Sequence, residues 1–518
     1  MRTVRFARPY LGAVVVVAAL VMATACSASS GRPATAQRSA TARPAGGGAP
    51  VLAAATLRPS APVSELSATA PETLTAQFAA TVLRSAPVVV VSAEKSADLA
   101  AARRAAKAGH APILLATAVT ARFASDVRRL RPRDVVTEGL PSKSLAALLP
   151  GVRVVTSAKG LPATRSPAPL SRVTVLMRTA DTDPAGAAIT TAAITATADV
   201  AGVAVVPVSG QDPRTDPATI TALARLKPDR VIAIGAGLGP AAVLASRIGV
   251  AETGVQLPGG GQVMFPGRRL VALYGHPDTP GLGALGEQGL TASIARAKLM
   301  ASQYKRLSGV PVVPAFEIIA SVAEGSPGPD GTYSYETPVS MLEPWIKAAS
   351  RAGMYVVLDL QPGRASLLSQ AEAYQSLLRL PNVGLALDAE WKLQPGQVPL
   401  EQIGHVDIGE VNSVVAWLAA LTARYHLPQK LLVLHQFQLQ MIRGEQSLDT
   451  RNDDLAIVIH MDGQGAPGVK QETWNAVTAA APRGVFFGWK NFFVKDDPML
   501  TPRETMRETP APVMISYQ

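Results

Sequence analysis

The sequence is poor in cysteine and in charge, and each shortage argues against a class of protein. Its 518 residues include a single cysteine, Cys26, so no disulfide can form within the chain. Only 17% of the residues are charged, and no run of Lys and Arg is interleaved with aromatic residues, which argues against nucleic acid as a partner. No phosphate-binding Lys-Ser/Thr motif is present, and no second membrane span follows the apolar run near the N-terminus.

The residues that are present indicate a large folded protein with a basic surface. A chain of this length predicts two or three domains, and 48% hydrophobic residues can supply their cores. The formal net charge of +11 suits anionic envelope polymers or lipid headgroups as partners.

Residues 1–25 have the layout of an export signal. Three arginines within the first eight residues precede an apolar run over residues 11–22, which is short for a membrane span. Small residues at positions 23–25 directly before the lone Cys26 resemble the bacterial lipoprotein lipobox. The resemblance implies that Cys26 is diacylated and becomes the N-terminus of a membrane-anchored protein. The alternatives are an ordinary signal peptide or an uncleaved anchor.

Residues 26–62 consist mainly of Ser, Ala, Thr, Pro and Gly with scattered Arg. A segment of this composition cannot bury enough apolar surface to order itself. We therefore predict a disordered tether that leads away from the membrane.

An internal repeat occupies residues 63–262. The segment 129–136 returns at 225–232, 96 residues later, with Leu and Pro at matching places. Each copy opens with an apolar strand, at Val88 and at Val173, and continues with helices and two further strands. Strands that alternate with helices form parallel sheets covered on both faces. We therefore predict two tandem Rossmann-like α/β units.

The first copy resembles the cell wall binding repeat 2 family. The resemblance lies in residues 98–102 (DLAAA), 107–109 (KAG) and 111–115 (APILL), ahead of the segment marked by Pro132. Members of that family are exported and hold surface proteins to anionic cell wall polymers, usually through three copies, of which two are clear here. The resemblance implies a wall-binding region in a cell-envelope protein.

Residues 235–239 (GAGLG) follow a predicted strand, as a dinucleotide-binding turn would. The third glycine of that fingerprint falls on Pro240, and the equivalent turn of the first copy is the segment 139–141 (GLP). The glycines therefore indicate a turn of the repeat, and we predict no bound cofactor.

Residues 268–518 have roughly the length of a β/α barrel. Apolar strand candidates recur eight times, and Asp407 and Glu410 are predicted to form a capping box for a helix between two of them. We predict a (β/α)8 TIM-type barrel whose last helix is missing because the chain ends at the eighth strand; the alternative is an open doubly wound sheet. The predicted strands start at Leu270, Val312, Tyr355, Val383, Leu431, Leu455, Val485 and Val513.

Polar and aromatic residues follow seven of the eight predicted strands at the same end. Active sites of β/α barrels form at the C-terminal ends of the strands, so this pattern predicts a pocket. In chain order the candidates are Tyr274, His276, Asp278, Glu317, Asp359, Asp388, Glu390, Trp391, His435, Gln436, His460, Asp462, Trp489 and Lys490.

The first hypothesis is glycoside hydrolysis, which needs a proton donor and a second carboxylate. Asp388 and Glu390 would leave the same side of an extended strand, and the charge of one would raise the pKa of the other. Residues 387–390 (LDAE) resemble the strand-four Asp-x-Glu of the family 25 muramidases and, less closely, of the family 18 glycoside hydrolases. The resemblance implies Glu390 as the acid and Asp388 as its partner. Asp359 and Glu317 are further catalytic candidates.

The remaining strand-end residues are predicted to bind the substrate. Tyr274, Trp391 and Trp489 could offer aromatic faces on which a sugar stacks, and the polar residues could hold its hydroxyl groups.

The second hypothesis is metal-assisted hydrolysis of an amide or ester on a wall polymer. Histidines that end strands five and six resemble those of the amidohydrolases, although the strand-one motif is His-Pro-Asp here and the strand-eight Asp has no counterpart. Each histidine alone is more often a hydrogen-bonded pocket residue, so we assign no metal site. The zinc ligands of this hypothesis would be His276, Asp278, His435, His460 and Asp462.

The third hypothesis is glycan binding without turnover, by the same pocket. All three hypotheses place the protein outside the cytoplasm, lipid-anchored and facing the cell wall. The predicted partners are a cell wall glycan or an anionic wall polymer, together with the membrane.

Overall fold

A computed structural model describes residues 50–178 and 184–518. The predicted export signal, Cys26 and residues 26–49 of the predicted tether lie outside the described residues. Leu52–Ala53 and Ala55–Thr56 belong to the segment predicted as tether, and they pair with Thr164–Arg165 and Leu83–Ser85. The end of that segment is therefore joined to the folded chain. Within the described ranges, no helix combines the length and the apolar character that a bilayer crossing requires.

Two four-stranded parallel sheets contain the segments predicted to repeat. The first has the strand order Ile113–Ala116, Val88–Ala93, Asp134–Glu138, Arg153–Val155, and the second has the order Ala204–Val208, Val173–Arg178, Arg230–Ile234, Val63–Leu66. In each sheet the strand predicted first lies between the strands predicted second and third. Val63–Leu66 joins the second sheet although it precedes the first in the chain, so the two sheets are interleaved in sequence. Their assignment as tandem Rossmann-like repeats stays a prediction.

Helices cover these sheets, which explains why their strands are almost continuously apolar. The central valines of the first sheet, residues 88–91, are fully buried because helices pack on both faces. The helices are Pro71–Val82, Ser96–Gly109, Ala121–Arg129, Ser142–Leu148, Pro184–Ala201, Pro217–Leu226 and Ala241–Ala251.

The C-terminal part is a closed barrel of eight parallel strands. Its first strand pairs with both the second and the eighth, so the sheet closes and the alternative of an open sheet is wrong. Every strand starts within one residue of its predicted start, which confirms the predicted barrel strands. In order they are Arg269–Gly275, Val312–Ala323, Tyr355–Leu360, Val383–Asp388, Lys430–Gln436, Leu455–Met461, Phe486–Asn491 and Met514–Tyr517.

Helices surround the barrel and bury apolar stripes against its strands. Between strands five and six the described chain has 3-10 turns, Leu439–Met441 and Glu445–Ser447, in place of an α-helix. The predicted capping box is wrong, because Asp407 makes no side-chain cap and Glu410 Oε1 instead accepts from Lys392 Nζ at 2.9 Å. The barrel helices are Leu290–Tyr304, Val339–Arg351, Leu367–Ala373, Gln375–Leu378, Ile408–Arg424, Pro467–Ala480 and Pro502–Thr505.

The barrel interior is layered because alternate residues of each strand point inward. The lower layers are an apolar core that includes Leu270, Ala272, Val313, Ala315 and Tyr355. Two residues further along each strand, the same inward face reaches the C-terminal end of the barrel, which we call the top.

Buried positive charges lie at the opposite end, the base. Lys430 Nζ donates to the carbonyl oxygens of Leu380 and Val383 at 2.6 and 2.8 Å. Arg268 donates to four carbonyl oxygens of the segment 258–264, which leads into the barrel. Arg214 lies in the loop after strand Ala204–Val208 of the second sheet, and its side chain is only 2% exposed. Its Nη2 is 2.7 Å from Oδ2 of Asp453, which precedes barrel strand six.

Candidate active site

A ring of polar side chains forms the topmost interior layer of the barrel. Each of the eight strands contributes one inward-facing member. It lies near the C-terminal end of every strand except the second, which continues from Glu317 to Ala323. All of them are buried. In strand order the ring consists of Tyr274, Glu317, Asp359, Asp388, His435, His460, Lys490 and Ser516.

A cavity of about 430 Å³ opens above this ring. Six of the predicted site residues line it, and they come from barrel strands one, four, six and seven or the turns that follow them. These six are Tyr274, Asp388, Glu390, Trp391, Asp462 and Lys490.

Asp388 and Glu390 both face the cavity, but the local geometry differs from the prediction. The strand ends at Asp388, and Ala389–Trp391 form a 3-10 turn in place of an extended continuation. Asp388 Oδ1 accepts a hydrogen bond from the backbone N–H of Glu390 at 3.3 Å. Each of the three carboxyl groups of Asp388, Glu390 and Asp462 offers an oxygen atom within 4.8 Å of the others. The cavity floor is therefore a cluster of three carboxyl groups.

Glu317 and Asp359 lie in the ring beneath the cavity and do not line it. Asp359 Oδ2 accepts from the Tyr274 hydroxyl at 2.8 Å, and Glu317 Oε1 accepts from His435 Nε2 at 3.0 Å. Both side chains are completely buried, and each contacts a neighbouring residue of the ring.

His435 lies between two carboxylates. Its Nε2 bonds to Glu317, and its Nδ1 lies 3.2 Å from Asp462 Oδ2, close enough for an ion pair although the N–H is not aligned on the oxygen. Burial alone would lower the pKa of His435, but Glu317 and Asp462 raise that pKa well above its ordinary value. We infer that His435 is an imidazolium at neutral pH.

The three cavity carboxyl groups differ in their acidity. Burial and the nearby Asp462 raise the pKa of Glu390 to about 7. Burial and the charge of Asp359 raise the pKa of Asp388 well above its ordinary value. Burial also opposes ionisation of Asp462, but its contact with His435 outweighs this and lowers the pKa of Asp462. The site therefore combines proton-holding acids with one carboxylate that stays ionised.

Two predicted substrate-binding residues face away from the cavity because they neighbour ring residues on their strands. Trp489 precedes the inward Lys490, so it points outward and is completely buried against Trp474, with ring centroids 5.4 Å apart. Gln436 follows the inward His435, and its Nε2 donates to Glu445 Oε2 at 3.1 Å. Neither residue lines this cavity, and their predicted role in substrate binding stays a prediction.

His276 and Asp278 also lie apart from the cavity lining. The imidazole Nε2 of His276 is 3.1 Å from Thr337 Oγ1, and its Nδ1 accepts from the backbone N–H of Asp278 at 3.2 Å. His460 belongs to the ring, and its Nε2 is 3.2 Å from Ser516 Oγ. Burial lowers the pKa of His460 to about 3, so it is neutral.

The predicted zinc set does not come together among the described residues. His276 bonds to Thr337 and to the backbone of Asp278, and both nitrogens of His435 face carboxylates. Within the described part of the chain, the oxygens of Asp388, Glu390 and Asp462 are the one group close enough to surround a metal ion, and no nitrogen ligand joins them.

Several cavity-lining residues were missed as candidates for substrate binding. Phe437 and Phe492 extend the aromatic lining just beyond strands five and seven, and the exposed Lys495 adds a positive charge at the rim. Gln361, two residues beyond Asp359, donates from Nε2 to the Tyr274 hydroxyl at 3.3 Å. Their shared signal was position within a few residues of a strand end.

Comparisons of the chain with protein-family models, with curated proteins and with solved structures found no match. The function is therefore inferred from the chemistry of the residues at the cavity.

Proposed function

We propose that the barrel hydrolyses a glycosidic bond of a cell-envelope glycan, with Glu390 as the proton donor and Asp388 as its partner. The observation that carries this proposal is the cavity-facing carboxyl group of Glu390, whose pKa is raised to about 7. A general acid for glycoside cleavage must hold its proton near neutral pH. Burial achieves this by raising the pKa of a carboxyl group.

Asp388 supports Glu390 in two ways. Its Oδ1 accepts from the backbone N–H of Glu390, which fixes the turn that carries the acid. Its own buried carboxyl group lies beside Glu390 at the cavity floor. The contact distance of at most 4.8 Å between oxygens is shorter than the roughly 6.5–9.5 Å between carboxyl groups that leaves room for an attacking water. The geometry therefore favours hydrolysis with retained configuration.

The cavity walls suit a sugar. Tyr274, Trp391 and Phe437 supply apolar aromatic surface, while Gln361 and Lys490 supply groups that can donate hydrogen bonds. A mixture of aromatic surface and a few polar groups fits a ring with apolar faces and hydroxyl edges.

We further propose that the protein acts outside the cytoplasm. The lipobox-like sequence before Cys26 would anchor it to the membrane, and residues 26–49 would belong to a tether. The two parallel sheets would be Rossmann-like wall-binding repeats that hold an anionic wall polymer. The net charge of +11 includes the three arginines of the export signal, and the remaining +8 supports an anionic partner of this kind.

The test is hydrolysis by the full-length chain and its Glu390→Gln variant. The probes are purified peptidoglycan and 4-methylumbelliferyl chitotrioside. We expect the variant to lose about 10³-fold in rate, because glutamine cannot donate the proton. Glu343→Gln is the matched control, since that glutamate lies on a barrel helix with its side chain 46% exposed. Full activity in the Glu390→Gln variant would contradict the proposal.

The same assay separates the alternatives. Hydrolysis that a chelator abolishes would favour metal-assisted chemistry at the carboxyl cluster. Binding of purified wall material without turnover would favour a non-catalytic glycan-binding protein.

A further inference from the structure

The cavity floor holds a third carboxyl group that the proposed acid and its partner do not account for. Asp462 follows strand six, lines the cavity and is 7% exposed. One of its oxygens lies within 4.8 Å of oxygens of both Asp388 and Glu390. Asp462 therefore reaches the same part of the cavity floor as Glu390, the proposed proton donor, although it follows a strand two positions further around the barrel.

The surroundings of Asp462 differ from those of Asp388. Beneath Asp462 lies the buried imidazole of His435, whose Nδ1 is 3.2 Å from Asp462 Oδ2. On the far side, His435 Nε2 bonds to Glu317 at 3.0 Å, and both His435 and Glu317 are completely buried. A neutral imidazole has one N–H, so a ring that faces a carboxylate with each nitrogen is best satisfied as a cation. Oδ1 of Asp462 has no hydrogen-bond partner among the described residues.

We propose that Asp462 is the nucleophile that attacks the anomeric carbon, and that His435 and Glu317 are positioning residues that hold it there. This inference rests on the glycosidase function proposed above, which it deepens. The nearby carboxyl group of Asp359 opposes ionisation of Asp388, and among the described residues Asp388 forms no ion pair like that of Asp462 with His435. Asp388 therefore keeps the role of partner to Glu390.

The reaction balances with these groups. The Asp462 carboxylate forms a bond to the anomeric carbon while the bond from that carbon to the leaving oxygen breaks, and the proton of Glu390 moves to the leaving oxygen. Water then attacks the anomeric carbon and gives a proton to the Glu390 carboxylate. The bond to Asp462 breaks, and the sugar is released with retained configuration.

The opposite pKa shifts of Asp462 and Asp388 support Asp462 as the nucleophile. The contact with His435 keeps the pKa of Asp462 below its ordinary value, whereas burial and Asp359 raise the pKa of Asp388. An attacking carboxylate must be ionised at the pH where the acid is still protonated, and only Asp462 of the cluster meets this condition.

The first test is chemical rescue in the full-length chain, with 4-methylumbelliferyl chitotrioside as the probe. Asp462→Ala and Asp388→Ala should both be impaired, Asp462→Ala on the order of 10⁴-fold or more. We expect sodium azide to restore the rate of Asp462→Ala at least about tenfold by standing in for the lost nucleophile, and to leave Asp388→Ala unchanged. Rescue of Asp388→Ala alone, or of neither variant, would overturn the assignment.

The second test separates positioning from folding. His435→Gln should lower kcat with little change in KM and move the acidic limb of the pH–rate profile to higher pH, because Asp462 loses the cation that lowers its pKa. His426→Gln, outside the barrel top, is the control and should keep the limb in place. Nitrogen NMR of the wild-type protein at pH 8 should show both His435 nitrogens protonated, a readout that needs no turnover. An unmoved limb together with a neutral His435 would overturn the inference.

Failure of this inference and failure of the proposed function give different results. A wild-type chain that hydrolyses neither methylumbelliferyl chitotrioside nor peptidoglycan contradicts the glycosidase proposal, and the nucleophile falls with it. A wild type that hydrolyses the probe with inverted configuration, or an Asp462→Ala variant that keeps its rate, contradicts the nucleophile alone.

Discussion

The two ends of the barrel interior both bury charged side chains, and they differ in what those side chains bond to. At the base, Lys430 donates to two carbonyl oxygens and Arg268 donates to four. At the top, carboxylates meet other ionisable side chains, and one oxygen each of Glu317, Asp359 and Asp462 has no hydrogen-bond partner among the described residues. The buried charged side chains at the base bond mainly to backbone carbonyl oxygens, whereas those at the top bond mainly to other side chains of the ring.

This difference separates residues that stabilise the fold from residues that can take part in proton transfer. Buried charges that bond to carbonyl oxygens hold the backbone in place. Burial lowers the pKa of Arg268 only to about 10, so Arg268 keeps its proton at neutral pH. Buried acids that face one another shift each other's pKa and can exchange protons. The barrel thus concentrates chemistry at the C-terminal ends of its strands, as other β/α barrels do.

The largest expected effect comes from the base. Arg268→Met removes the donor to four carbonyl oxygens and leaves them buried without it, which should lower the free energy of unfolding by about 3–5 kcal/mol. The folded fraction should keep its rate of hydrolysis. Urea unfolding followed by tryptophan fluorescence measures the loss, with Arg268→Lys as an intermediate control. A Met variant as stable as the wild type would show that apolar packing alone holds this segment.

At the top, pH is expected to change the rate of hydrolysis. Burial and Asp462 raise the pKa of Glu390 to about 7, so the fraction of protonated acid falls tenfold for each pH unit above that value. Half of the acid is protonated at pH 7, so hydrolysis should drop about 50-fold between pH 7 and pH 9, equivalent to about 2.3 kcal/mol. The pH–rate profile of the Arg268→Met variant should be superimposable. A rate that stays flat to pH 9 would remove Glu390 from the role of proton donor.

A smaller effect tests how tightly the top is packed. A Cβ atom added at Gly488 would lie 2.4 Å from Cδ2 of the buried His460, so Gly488→Ala must displace the imidazole from its place in the ring. We expect a loss of about 1–3 kcal/mol in the free energy of unfolding. Gly468→Ala, where a new Cβ meets open space in a helix, is the control and should be neutral or stabilising by up to about 1 kcal/mol. Equal stabilities would mean that the top end tolerates rearrangement.

The sequence predicted the barrel well because strand periodicity and apolar runs are local signals. The eight strand starts and a polar residue on each of the first seven strands followed from those signals alone, although strand two does not end at Glu317 but continues to Ala323. The direction of a side chain beyond a strand end is harder to predict, because it depends on whether the chain stays extended. Glu390 reaches the cavity from a 3-10 turn, and Trp489 misses the cavity by one position in the alternation.

Contacts between distant residues were beyond prediction from one sequence. Glu317 and His435 are 118 residues apart, and no local pattern pairs them. Strand Val63–Leu66 joins the second sheet and not the first for the same reason, since its partner Arg230–Ile234 is remote in sequence. Lys430 is a further case, because a lysine at the start of a strand gives no sign that it will be buried without an acidic partner.

Lys430 gives the sharpest test of the base. Burial lowers its pKa from 10.5 to about 7, so between these values the unfolded chain binds a proton that the folded chain does not. Stability should therefore rise with pH across this window, by up to about 1.4 kcal/mol per pH unit, and the contribution should be flat below pH 7. Lys430→Met should lack this slope in urea unfolding from pH 7 to 10. Parallel curves would mean that the two carbonyl oxygens are enough to keep Lys430 charged, and the base would then hold a fixed cation and exchange no proton.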